Sequence, residues 1–222
     1  VHNRSKHNTP NNSENSINII LANKKQKHIK QDKKYIFDKK IRGIFDQLQE
    51  ERTKDPVKTA LKVLSSHSWD NLEDTSCHGD FTLENIILSS EGKYYLIDFL
   101  DSFYESWIGD ISKVMQDLLV GWSYRNNFSK KGIAENAKLK YILLSRQFAN
   151  SIDTKIKNNN LWEDIYYLLL LDLLRVVPYI VEKNTYDFVI KSLDTIVNNI
   201  EKGALYEPVS YTHLTLPTKR RV

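Results

Sequence analysis

The chain has a single cysteine, Cys77, among 222 residues. That excludes a disulfide framework, and no CxxC pair is present to hold zinc. Glycine is scarce: seven residues, at 43, 79, 92, 109, 121, 132 and 203. None are spaced to form a G-x-G-x-x-G phosphate loop. No long apolar run exists. The longest, Ile165 to Leu171, lasts seven residues before Asp172 interrupts it, against the roughly 20 that a bilayer span needs. It reads as a buried helix, and no membrane partner is expected. Val1 to Asn23 is polar, Asn-rich and without the apolar core of a secretory signal. One cysteine and no such signal fit a reducing, cytoplasmic setting.

The net charge of +4 is unevenly spread. Residues 1–40 hold ten Lys/Arg and three Asp/Glu, or +7, and residues 209–222 hold three basic and no acidic residues. The body, 41–208, has 19 basic and 25 acidic residues, or −6. A nucleic-acid partner needs a basic face to displace counterions from phosphates, and the body has none by composition. The run Lys24 to Lys40 reads as a solvated helix face or linker. A basic-helix interaction protein working through that run is the competing reading from outside enzymology.

Three zones follow. Residues 1–30 are rich in Asn, Ser and Lys and read as weakly ordered. Residues 31–208 carry the periodic apolar pattern of one domain. Residues 209–222 change in style, resemble a translated sequencing adapter and are set aside as non-native-looking. Within the domain, Phe37, Ile41, Ile44, Phe45 and Leu48 recur at helical spacing. Asp55-Pro56 predicts a helix start, Asp55 as N-cap and Pro56 at N1, followed by Val57, Ala60, Leu61 and Leu64. Asn85–Leu88 and Tyr94–Phe99, separated by Ser89-Ser90-Glu91-Gly92, predict a β-hairpin. Helices are then predicted over Asp110–Trp122, Ile133–Ile156, Leu161–Val181 and Thr185–Ile200, with Pro178 ending or kinking the third. The fold class is mainly α with a small β-hairpin.

The chemistry is concentrated in 77–101: Cys77-His78-Gly79-Asp80-Phe81-Thr82-Leu83-Glu84-Asn85, then Leu96-Ile97-Asp98-Phe99. Asp80 precedes the first strand, Asn85 opens it, and the returning strand brings Asp98 back beside Asn85. Two carboxylates and a carboxamide converge, all hard oxygen donors suited to Mg²⁺. Phosphoryl transfer needs such a set: one carboxylate to orient the attacking hydroxyl and accept its proton, and an Asn and a second Asp to hold metal.

HGD-x4-N followed by IDF resembles the aminoglycoside phosphotransferase and choline kinase superfamily, over about residues 35–207. The resemblance implies the C-terminal lobe of a protein-kinase-like phosphotransferase, with ATP and Mg²⁺ as cofactors. It implies a catalytic base at Asp80, metal and nucleotide ligands at Asn85 and Asp98, and structural support from His78 and Asp110. Leu-Leu-Arg-Val-Val-Pro-Tyr at 173–179 is similar to a family C-terminal helix. One departure is Leu100, which intervenes before Asp101. The family's Gly-rich loop and strand Lys are missing, which implies a truncated gene and a chain that does not transfer from ATP alone. Asp101 and Glu105 are candidates to grip a substrate. Trp107, Trp122, Tyr124 and Arg125 read as core and rim rather than pocket lining. The expected activity is transfer from ATP to a hydroxyl of a small-molecule acceptor: a sugar, an amino alcohol such as choline, or a cell-surface polysaccharide precursor. A non-catalytic, pseudokinase-like binding module is the alternative.

Overall fold

The computed structural model describes residues 32–127, 143–144, 146–148, 150–152 and 161–204. The readings made above for 1–30 and 209–222 lie outside these residues, as does most of Ile133–Ile156, whose described residues are helical. Helices predominate, with one two-stranded antiparallel sheet. No helix among the described residues is long and apolar enough to cross a membrane.

Helix α1 (Lys33–Asp46) is started by Asp32, whose carboxylate accepts the Tyr35 N–H at 3.1 Å. Its inward stripe is Phe37, Ile41 and Ile44, steps of four and three. Phe45, assigned to that stripe from the sequence, is 56% exposed; one position after Ile44 it falls about 100° away around the helix. Helix α2 (Asp55–Ser66) begins one residue earlier than predicted. Lys54 is its N-cap, without a side-chain cap, and Asp55 opens the first turn. Val57, Ala60 and Leu64 are buried.

The hairpin pairs β1 (Ile86–Leu88) with β2 (Tyr94–Leu96) in the register Ile86↔Leu96, Ile87↔Tyr95 and Leu88↔Tyr94. Ser89 and Lys93 close the turn, with Gly92 at φ 76°. Regular pairing stops at Leu96, short of the predicted Phe99, although one more bond, Ile97 N–H to the Asn85 carbonyl, extends the ladder. Leu88, Tyr95, Phe99 and Leu100 are each more than half exposed; in this register Tyr95 shares a face with Ile87 and Leu88 lies on the other, so apolar side chains meet solvent on both sides of the hairpin.

Helix α3 (Trp107–Met115) starts three residues before the predicted Asp110. Two hydroxyls set that start: Ser106 Oγ accepts the Ile108 N–H, and the buried Thr75 Oγ1 accepts the Trp107 N–H at 2.9 Å. The helix widens into a π turn over Gln116–Val120 and stops at Gly121, φ 77°. Helix α4 (Leu161–Leu174) is buried on nearly all sides, which accounts for its continuous apolar run. It packs against α3, α2 and α5 (Lys183–Glu201). α4 ends before Pro178, which sits in a 3₁₀ turn at Val177–Tyr179. The core joins Phe37, Trp69, Trp107, Tyr166 and the α4 leucines. Beneath it, His67 Nε2 meets Asp164 Oδ1 at 2.8 Å and stacks on Tyr167 at 3.7 Å, tying the end of α2 to α4.

Candidate active site

The loop His78–Asn85 is held from below by two carboxylates of the segment that begins with α3. Asp110, 1% exposed, accepts the His78 N–H at 2.8 Å and the Gly79 N–H at 3.0 Å. Asp117, equally buried, accepts the Leu83 N–H at 3.1 Å, the Ser123 N–H and the Ser123 hydroxyl. Asp110 and Asp117 therefore clamp the two ends of the loop from one helical segment. Burial pushes the Asp110 carboxyl up to about 6, opposed by those two N–H donors and by Lys113.

The loop is also clasped from above. Leu100 N–H donates to the His78 carbonyl at 3.0 Å. Gly79 sits at φ +85°, and a Cβ there would lie 1.9 Å from the Leu100 carbonyl oxygen. Only glycine permits both the left-handed backbone and the close approach. His78 is fully buried against Phe81 and Phe99. Burial lowers its pKa, while the Ile97 carbonyl, Asp80 and Asp98 act to raise it. Its Nδ1 accepts the Asp80 N–H at 3.4 Å, and Nε2 makes no hydrogen bond. The ring is thus packed between the loop and the end of the hairpin.

Asp80 is half-buried and held on both oxygens. Lys113 Nζ lies 3.5 Å from Oδ1. The Asn85 amide donates to Oδ2 at 3.3 Å and to the Asp80 backbone carbonyl at 2.8 Å. Asn85 thus ends the turn Leu83–Asn85 with its nitrogen turned to Asp80 and its Oδ1 left as a donor for a cation. Asp98 lies one residue past Ile97, which the last ladder bond sets opposite Asn85, and the charges of both Asp80 and Asp98 act on the His78 ring. Asp98 is exposed and has φ 58°, the only positive value at a non-glycine among the described residues. Such a backbone costs of order 1–3 kcal/mol and recurs at functional positions. Among the described residues no three His, Cys, Asp or Glu side chains form a metal cluster. A cation here would rely on Asp98 and the Asn85 carboxamide, a set of two, and on oxygens from solvent or ligand; Mg²⁺ tolerates that.

Other sequence candidates are divided. Asp101 lines a cavity of about 260 Å³ beside Gly79 and Lys113, whereas Glu105 does not. Trp107 is fully buried and donates Nε1–H to Glu73; Trp122 and Arg125 stack on one another at 4.4 Å at the rim. The Tyr124 side chain lies outside the described residues. Four contributors escaped the sequence reading: Lys113, Asp117, Asp172 and Arg175. Lys113, 5% exposed, bridges Asp80 to Asp172 Oδ1 at 3.0 Å, and Asp172 in turn meets Arg175 Nε at 3.3 Å and the Ser112 hydroxyl. A signal existed. Asp110, Lys113 and Asp117 recur at three and four residues on an otherwise apolar segment, so one face carries all three charges. Asp172 was legible as a carboxylate interrupting a buried run.

Compared with protein-family models, curated proteins and solved structures, the chain matches none.

Proposed function

We propose that this chain is the helical lobe of an ATP- and Mg²⁺-dependent phosphotransferase acting on a hydroxyl of a small molecule, of the aminoglycoside phosphotransferase and choline kinase kind. The observation that carries the reading is the mounting of Asp80. Its carboxylate is fixed by Lys113 and Asn85 on a loop braced by Asp110, and Asp98 follows one residue after the last bond of the hairpin ladder. A base for an acceptor hydroxyl needs this: fixed direction, partial exposure and a neighbouring position for metal oxygens. Asp80 would take the proton of the acceptor hydroxyl, and Asn85 Oδ1 and Asp98 would hold the metal. Bound ATP and Mg²⁺ would supply the phosphoryl group and neutralise its charge. The exposed pair Ile87 and Tyr95 on one face of the hairpin accords with a second lobe closing over it.

The test uses the full-length protein. Asp80→Asn should cut turnover by about 10²-fold or more while leaving nucleotide binding intact, the size typical of losing a general base. Asp98→Asn should instead weaken Mg²⁺-nucleotide binding. Unchanged turnover in Asp80→Asn, or no Mg²⁺-nucleotide binding by the full-length protein, would overturn the proposal.

A further inference from the structure

Two adjoining cavities, of about 260 and 740 Å³, share Lys40, Phe103 and Arg175, and the smaller opens beside the Asp80 loop. The larger lies between α1 and the segment after α4. Its wall carries Lys39, Lys40 and Arg175 and no acidic residue. The smaller reaches Gly79 and Lys113, next to Asp80, and carries three carboxylates: Asp101, Asp110 and Asp172. Two of those are already engaged. Asp110 holds the His78 and Gly79 N–H groups, and Asp172 serves Lys113, Arg175 and Ser112 together. Only Asp101, exposed at the rim, is left to meet an incoming cation.

Lys40 is the counterpart. It is half-buried, no carboxylate among the described residues lies within ion-pair distance, and its ammonium sits 5.4 Å from the Phe103 ring centroid. Burial and the Arg175 charge both lower its pKa, with Asp172 opposing. Asp172 already offsets Arg175 at 3.3 Å, so Lys40 is the cation of the shared wall left without a carboxylate within ion-pair distance among the described residues. Arg175 and Lys40 also offer N–H donors suited to phosphate or carboxylate oxygens. The combined space is within the range of small-molecule sites.

We propose that the small molecule entering these cavities is anionic, its phosphate or carboxylate seated between Lys40 and Arg175 and its hydroxyl end directed toward Asp80. The direction of the hydroxyl rests on the phosphotransfer reading; the anion seat does not. Among the acceptor classes above, this favours a phosphorylated or acidic sugar over an amino alcohol.

The experiment is calorimetric titration of the whole chain, without nucleotide, using glycerol 3-phosphate, glycerate, glycerol and choline as probes. At least one anion should bind ten-fold or more tighter than glycerol and choline, and Lys40→Gln should weaken that binding by ten-fold or more. The tighter of the two anions identifies the group as phosphate or carboxylate. Choline binding as tightly as either anion, or anion binding unchanged by Lys40→Gln, would overturn the proposal. Should Lys40→Gln fail to fold, the ranking of the four probes on the unaltered chain decides. Because no nucleotide is present, failure here is distinct from failure of Mg²⁺-nucleotide binding at Asp98.

Discussion

Gly79→Ala is the sharpest single perturbation of the loop that carries Asp80. Alanine at φ +85° bears the left-handed penalty, about 1–2 kcal/mol. Its Cβ would also fall 1.9 Å from the Leu100 carbonyl oxygen and 2.9 Å from the carbonyl carbon. Both are backbone atoms, so no rotamer change relieves the overlap. Moving Leu100 away stretches its bond to the His78 carbonyl, about 1 kcal/mol, and moving Gly79 away stretches its bond to the Asp110 carboxylate, about 1.5–3 kcal/mol. The combined cost is about 3–6 kcal/mol, a large part of the 5–15 kcal/mol that holds a typical domain together. Gly92→Ala is the matched control: its φ is +76°, but nothing lies within 4 Å of the added Cβ, so only the backbone penalty applies. Urea unfolding of both variants, followed by far-UV circular dichroism, measures the difference. If Gly79→Ala is within 1 kcal/mol of Gly92→Ala, the clasp between the His78 loop and Leu100 is not as described.

Asp110 gives a pH signature. Its carboxyl titrates at about 6 when folded and near 3.9 when unfolded, so the folded chain binds the extra proton between those values. Its contribution therefore falls as pH rises from about 4 to about 6, by up to ~3 kcal/mol, and Asp110→Asn should remove that slope from urea unfolding curves. Burial pushes the Cys77 thiol up to about 11, two units above its ordinary 9.0; at pH 8 iodoacetamide should modify it about a hundredfold more slowly than an unperturbed cysteine, and rapid labelling of the folded chain would contradict this burial. Asp164→Ala leaves the nearly buried His67 without its 2.8 Å partner and should cost about 3 kcal/mol; a loss below 1 kcal/mol would show the pair to be dispensable.

The local part of the site was legible because it is written in spacing. Asp80, Asn85 and Asp98 stand at loop and hairpin positions that period-2 alternation and turn residues reveal, and the observed register puts Asn85 opposite Ile97. Helical periodicity likewise marked the inward faces of α1, α2 and α3. The supporting charges were not legible in the same way, since their partners are far off in sequence: Lys113 meets Asp80 across 33 positions, and Asp117 meets Leu83 across 34. Polar contacts made by folding, rather than by pattern, also misplaced the start of α3, which the distant Thr75 hydroxyl caps. Asp55 failed as an N-cap for a simpler reason: it already lies inside the first turn, one residue after Lys54.

Metal binding at the base of the hairpin is the claim on which the functional account stands. Mn²⁺ added to the isotopically labelled chain, in the absence of nucleotide, should selectively broaden amide resonances of residues 78–85 and 97–99, and excess Mg²⁺ should reverse it. Asp98→Asn should abolish the effect without disturbing the backbone, because Asn accepts a positive φ as readily as Asp. Broadening confined to other segments, or unchanged in Asp98→Asn, would contradict the assignment of Asp98 and Asn85 as metal ligands and with it the phosphotransfer reading.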